Sequence, residues 1–126
     1  MPIQPKGGGA PVSTYPLFME RRREPRLIED LPIRIWAVNE HGGWFTQFAV
    51  AHNISRNGAL LMGLEQELRC GDLIIVQYCS VKARYRIVWL RDSGGPYRIQ
   101  AAVQRLEEEK CPWEEVLVEH ELGQLP

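Results

Sequence analysis

A chain of 126 residues with 44% hydrophobic and 25% charged residues has the makeup of one globular domain, which excludes disordered and fibrous classes. Its net charge of −1 excludes a surface tuned as a whole to grip long nucleic acid by counterion release, so any anion it binds must meet a local cluster. No window approaches the roughly 18–20 uninterrupted apolar residues of a membrane span, and the N-terminus lacks the layout of a secretory signal, so a soluble, cytoplasmic protein is expected.

Residues 1–19 hold Gly7-Gly8-Gly9 and four prolines with few apolar side chains. They bury too little surface to offset their ordering entropy, and read as a flexible leader. From Glu20 to Arg26 charge is dense, and Pro25 biases Glu24 toward an extended backbone, which makes this stretch an exposed arm feeding a strand. Leu31, Ile33 and Ile35 alternate with Pro32, Arg34 and Trp36 in the period of a half-buried first strand. After the turn at His41-Gly42-Gly43, Trp44-Thr46-Phe48-Val50 alternates with Phe45-Gln47-Ala49-Ala51, a second strand with an aromatic face.

A loop at Asn53 to Gly58 separates it from a brief apolar run, Ala59 to Met62, and Gly71-Asp72 opens the β-branched run Leu73 to Cys79. Ala83, Tyr85, Ile87 and Trp89 then alternate with Arg84, Arg86 and Val88, and Ser93-Gly94-Gly95-Pro96 turns the chain into Tyr97-Ile99-Ala101-Val103, so the last two strands read as a hairpin. Pro112 suits a first helical position, Glu114 and Glu115 suit the positive helix end, and Trp113, Val116, Leu117 and His120 share one face of a helix that Gly123 stops. Short strands, glycine turns and no long crossovers predict a mainly all-β fold: a six-stranded antiparallel β-barrel over residues 20–121 with a C-terminal α-helix, a flexible N-terminal arm, and a tail at 122–126.

Twelve of the fifteen basic residues are arginine, and Arg21, Arg22, Arg23 and Arg26 fall within six positions. A guanidinium forks onto phosphate with two hydrogen bonds and also stacks on an aromatic plane, so the bias suits a ligand with phosphate and base. A nucleotide-cradling glycine loop is absent from the sequence, which leaves the phosphate grip to side chains. By itself such a run is usually a solvated face, and Asn53-Ile54-Ser55-Arg56-Asn57-Gly58 by itself is a turn signal and a formal glycosylation sequon.

Together, Arg22-Arg23-Glu24-Pro25-Arg26 as RxxxR shortly before the first strand, and Asn53 to Gly58 as NxSxxG between the second and third, resemble the PilZ domain family of bacterial cyclic di-GMP receptors. The resemblance covers residues 20 to 118. It implies a non-enzymatic receptor with cyclic di-GMP as ligand and no cofactor, held by Arg22 and Arg26 of the arm and Asn53, Ser55 and Gly58 of the turn, with Arg21, Arg23 and Arg56 alongside. Arginine is suited to the O6 and N7 acceptors of guanine, and a second arginine to phosphate. Arg21, just before RxxxR, fits an intercalated ligand dimer with four phosphate charges as an alternative to one molecule. Gln100 stands where the family commonly has a small glycine, so it either narrows the ligand face or points outward.

Ligand binding is expected to order the arm and so present a changed surface to an unidentified downstream protein, with no DNA or RNA partner. Two other classes stay open: a non-binding adaptor on the same fold, and an OB-like barrel for single-stranded nucleic acid with an exposed aromatic platform. His41, His52, His120 and the cysteines lack metal-ligand spacing, Cys79 reads as a packed thiol, and Ser55 lacks a nucleophile elbow, so neither a metal nor a catalytic residue is expected. For Trp36, Trp44, Phe45, Phe48, Tyr85 and Trp89, packing in the core or barrel wall is the default, and Trp113 is expected to anchor the helix.

Overall fold

The computed structural model describes residues 26–65, 68–95 and 99–123. The leader and most of the arm, including Arg21, Arg22 and Arg23, therefore lie outside the described residues. Six strands, β1 (Leu31–Val38), β2 (Trp44–His52), β3 (Gly58–Leu64), β4 (Leu73–Tyr78), β5 (Val81–Asp92) and β6 (Ile99–Arg105), precede one helix, α1 (Glu114–Gly123). They close into an antiparallel barrel in the order β1-β2-β3-β6-β5-β4, in which β1 meets β4 through Arg34, Ile35 and Trp36 opposite Gln77, Val76 and Ile75. Closure gives every strand a partner on both sides over part of its length, although Trp44–Ala49 of β2 pair with β1 alone.

The interior is narrow, and its filling follows from the register. Buried large residues face buried alanines across the strands: Leu31 opposite Ala51, Ile33 opposite Ala49, Val76 opposite Ala83, Val103 opposite Ala59 and Leu61 opposite Ala101. Alternating large and small side chains fit the taper of a small barrel without voids. Because Ala49 and Ala51 take the inward parity of β2, Trp44 and Phe48 are turned outward and are 69% and 74% exposed, contrary to their expected packing.

Trp89 is a second correction. Ala83, Tyr85 and Ile87 are buried as the alternation of β5 predicts, but the register against β6 shifts between Ile87 and Trp89. A bulge inserts one residue and breaks the parity beyond it, so both Val88 and Trp89 are exposed. Cys79 is a third: β4 ends at Tyr78, and Cys79 with Ser80 forms the two-residue turn into β5, where Cys79 is exposed with φ of 55°. The buried thiol is Cys111, whose pKa burial raises.

The chain after β6 folds back over one end of the barrel. Trp113, fully buried just before α1, lies with its ring centroid 5.6 Å from that of Tyr85, and Leu117 is buried behind it. Trp113 thus anchors the helix as expected, while His120, predicted on the same face, is exposed. Among the described residues no helix is long and apolar enough to cross a membrane.

Candidate functional site

The turn between β2 and β3 begins where Asn53 takes a left-handed backbone, φ 53°, a conformation asparagine tolerates better than most residues. The next residue, Ile54, is fully buried and exchanges two backbone hydrogen bonds with Leu27: Leu27 N–H donates to the Ile54 carbonyl and Ile54 N–H to the Leu27 carbonyl, each at 2.8 Å. This isolated bridge brings the exposed Arg26, the last arginine of the arm, directly beside the turn.

Ser55 has no exposed surface. Its amide donates to the Gly58 carbonyl at 2.9 Å, its Oγ accepts from the Gly58 amide at 3.1 Å, and its hydroxyl reaches the Gly58 carbonyl at 3.3 Å. The serine therefore closes the turn on itself. Gly58 is required by proximity, since a Cβ there would sit 2.7 Å from the carbonyl oxygen of Val103 on β6.

Arg56 points toward the helix. Its Nε meets Glu114 Oε2 at 3.1 Å, and its two terminal nitrogens meet both carboxylate oxygens of Glu121 at 3.0 and 3.2 Å. The hydrogen bonds from Glu121, together with Glu114, raise the Arg56 pKa further, and the same guanidinium holds the Glu121 carboxyl below its ordinary value. Arg105, which the sequence reading did not single out, braces the turn from β6. Its Nε donates to the Arg56 carbonyl and one terminal nitrogen to Asn57 Oδ1, both at 2.8 Å, while the other reaches the Glu109 carbonyl. Trp113 Nε1 donates to the Ser55 carbonyl at 2.7 Å. Each of these partners is more than 40 positions from the turn in sequence, except that Glu109 joins Arg105 locally, so no motif spacing could have revealed them.

On the outer wall next to the turn lies a groove of about 720 Å³, lined by Val50, His52, Leu60, Met62, Arg91 and Gln100 among others. At the rim adjoining Asn53, His52 Nδ1 stands 2.6 Å from Asp30 Oδ1. At the opposite rim Arg91 donates to Gln100 Oε1 at 3.2 Å, which places Gln100 on the outer face, in the wall of the groove. The predicted residues thus divide. Arg26 precedes the Leu27 bridge, Asn53 follows the groove residue His52, Ser55 and Gly58 shape the turn, and Arg56 is engaged by α1. Among the described residues no group of His, Cys, Asp and Glu is placed to hold a metal ion.

Strands β1, β2 and β5 carry a row of cations and rings that meets the groove at Phe48. The Arg34 guanidinium lies 5.0 Å from the Trp36 ring centre and 5.5 Å from that of Phe48, and the Lys82 ammonium 4.6 Å from Trp36, which forms a cation-aromatic ladder. Comparison with protein-family models finds no match to this chain, and comparison with curated proteins finds none.

Proposed function

We propose that the chain is a PilZ-like receptor that clamps cyclic di-GMP between its arginine arm and the Asn53–Gly58 turn, and that ordering of the arm on the ligand transmits the signal to a protein partner. The observation that supports this reading is the Leu27–Ile54 bridge, which ties the residue that follows Arg26 to the NxSxxG turn, next to an open, largely apolar groove. Arg26 would meet phosphate or a guanine edge, Asn53 would add a polar contact, and the floor of Val50, Leu60 and Met62 would receive a purine face. Ser55, Gly58 and Arg56 act by fixing the turn from behind. Arg22, with Arg21 and Arg23, would complete the clamp from the arm.

Calorimetric titration with cyclic di-GMP, beside the linear dinucleotide and a single-stranded oligonucleotide, tests this. The expected result is heat with the cyclic ligand alone, lost in Arg22→Ala and Arg26→Ala while the melting point holds, and the stoichiometry separates one bound molecule from an intercalated pair. Unchanged binding in both variants rejects the arm as the clamp. A second reading, a barrel for single-stranded nucleic acid, is favoured by the Arg34, Trp36, Phe48 and Lys82 ladder with the exposed Trp44 nearby. Binding of the oligonucleotide with no response to the cyclic ligand would select it.

A further inference from the structure

We infer that Arg91 and Gln100 form a base-reading pair at the far rim of the groove that selects guanine over adenine. This rests on the reading of the groove as the seat of a cyclic dinucleotide, and it names the residues of this chain that set which one is taken.

Val50 pairs with Met62, Met62 with Gln100, and Gln100 with Arg91, so these four lie in one row across β2, β3, β6 and β5. A parallel row runs from His52 through Leu60 to Ala102. At about 4.8 Å per strand, Arg91 stands some 14 Å along the sheet from Val50. The groove therefore carries the Arg91 cation at the rim away from the turn, with the apolar side chains of Val50, Leu60 and Met62 leading to it. A planar base that slides over Leu60 and Met62 presents its edge to Arg91.

What that edge meets follows from the hydrogen bond between the pair. Arg91 donates to Gln100 Oε1, which engages one lone pair of the amide oxygen on the side of Arg91 and leaves both NH2 hydrogens to be offered elsewhere. A guanidinium has donors only. The rim therefore shows donors from both side chains, matching the O6 and N7 acceptors of guanine, whereas adenine sets its N6 amino group, also a donor, against them. A bound base would take these exposed donors out of water, and the wrong base would then leave them unpaired.

The test is a titration of the full chain with cyclic di-GMP and cyclic di-AMP, using the parent, Arg91→Ala, Gln100→Ala and Arg26→Ala. The parent is expected to prefer the guanine ligand. Arg91→Ala should weaken cyclic di-GMP roughly tenfold, the scale of one bidentate base contact, and narrow the preference, while cyclic di-AMP changes little. Gln100→Ala should narrow the preference with a smaller loss of affinity, and Arg26→Ala should remove binding of both ligands. A parent that binds cyclic di-GMP while Arg91→Ala keeps the same affinity and the same preference overturns this assignment and leaves the clamp standing. A parent that binds neither ligand overturns the clamp, and this assignment with it.

Discussion

The indole nitrogen of Trp113 donates to the backbone carbonyl of Ser55 at 2.7 Å, so the residue that opens the C-terminal helix holds the middle of the β2–β3 turn from inside the protein. Trp113→Phe keeps most of the buried ring and removes this donor, leaving a buried carbonyl unsatisfied, at a cost of about 1–3 kcal/mol. Trp113→Ala adds a cavity and should cost about 3–5 kcal/mol. Urea unfolding checks both, and equal midpoints for parent and Trp113→Phe would remove the hydrogen bond from the account.

Gly58 is fixed by a neighbour that does not yield. The 2.7 Å approach of its notional Cβ is to the Val103 carbonyl, a backbone atom in the β3–β6 ladder, so Gly58→Ala must part the two strands or shift the turn. Overpacking of this kind costs about 1–3 kcal/mol. Gly95→Ala, where a Cβ meets nothing within 4 Å, is the control and should melt with the parent. If both variants melt together, the close approach is not a constraint.

The strand order and the barrel were legible because alternation is a local property: Leu31, Ile33 and Ile35, or Ala83, Tyr85 and Ile87, carry their parity within a few residues. The errors came where parity is set elsewhere. Trp89 lost it to a bulge against β6, and Trp44 and Phe48 were displaced by the alanines that the narrow interior requires. The candidate site divides the same way. NxSxxG marks the turn and its glycine correctly as special backbone, but the engagement of Arg56 by Glu114 and Glu121 depends on how α1 docks, which the spacing of those residues does not encode.

Tyr85 sits fully buried against Trp113, and its hydroxyl has no hydrogen-bond partner among the described residues. Burial also pushes its pKa well above the ordinary phenol value. An unsatisfied buried hydroxyl is a cost that its removal recovers, so Tyr85→Phe should be neutral or stabilise by about 1 kcal/mol. Thermal unfolding is the measurement, and a loss of more than that would show that the hydroxyl is satisfied after all.

Arg56 and Glu121 make the tie between turn and helix dependent on pH. The Arg56 hydrogen bonds lower the folded pKa of Glu121 below its ordinary 4.5, so the folded state binds this proton less readily than the unfolded chain. The stabilisation is therefore complete above 4.5 and is lost as the pH falls through the lowered folded value. Arg56→Met should be less stable than the parent at neutral pH, and the gap should close in acid and shrink in high salt. A gap that stays constant from pH 7 to well below 4.5 would assign the effect of Arg56 to packing of its stem.

Asn53 has two separable features, a left-handed backbone and a polar side chain at the start of the turn, next in sequence to the groove residue His52. Asn53→Gly keeps the backbone at no steric cost and deletes the side chain, whereas Asn53→Ala deletes the side chain and strains the backbone by about 1–2 kcal/mol. Stability should therefore separate the two variants, with Asn53→Gly close to the parent and Asn53→Ala below it. Affinity for the cyclic dinucleotide should instead fall in both, because the lost contact is common to them. Full binding by Asn53→Gly would reduce Asn53 to a turn former and leave Arg26 as the polar group beside the turn that meets the ligand.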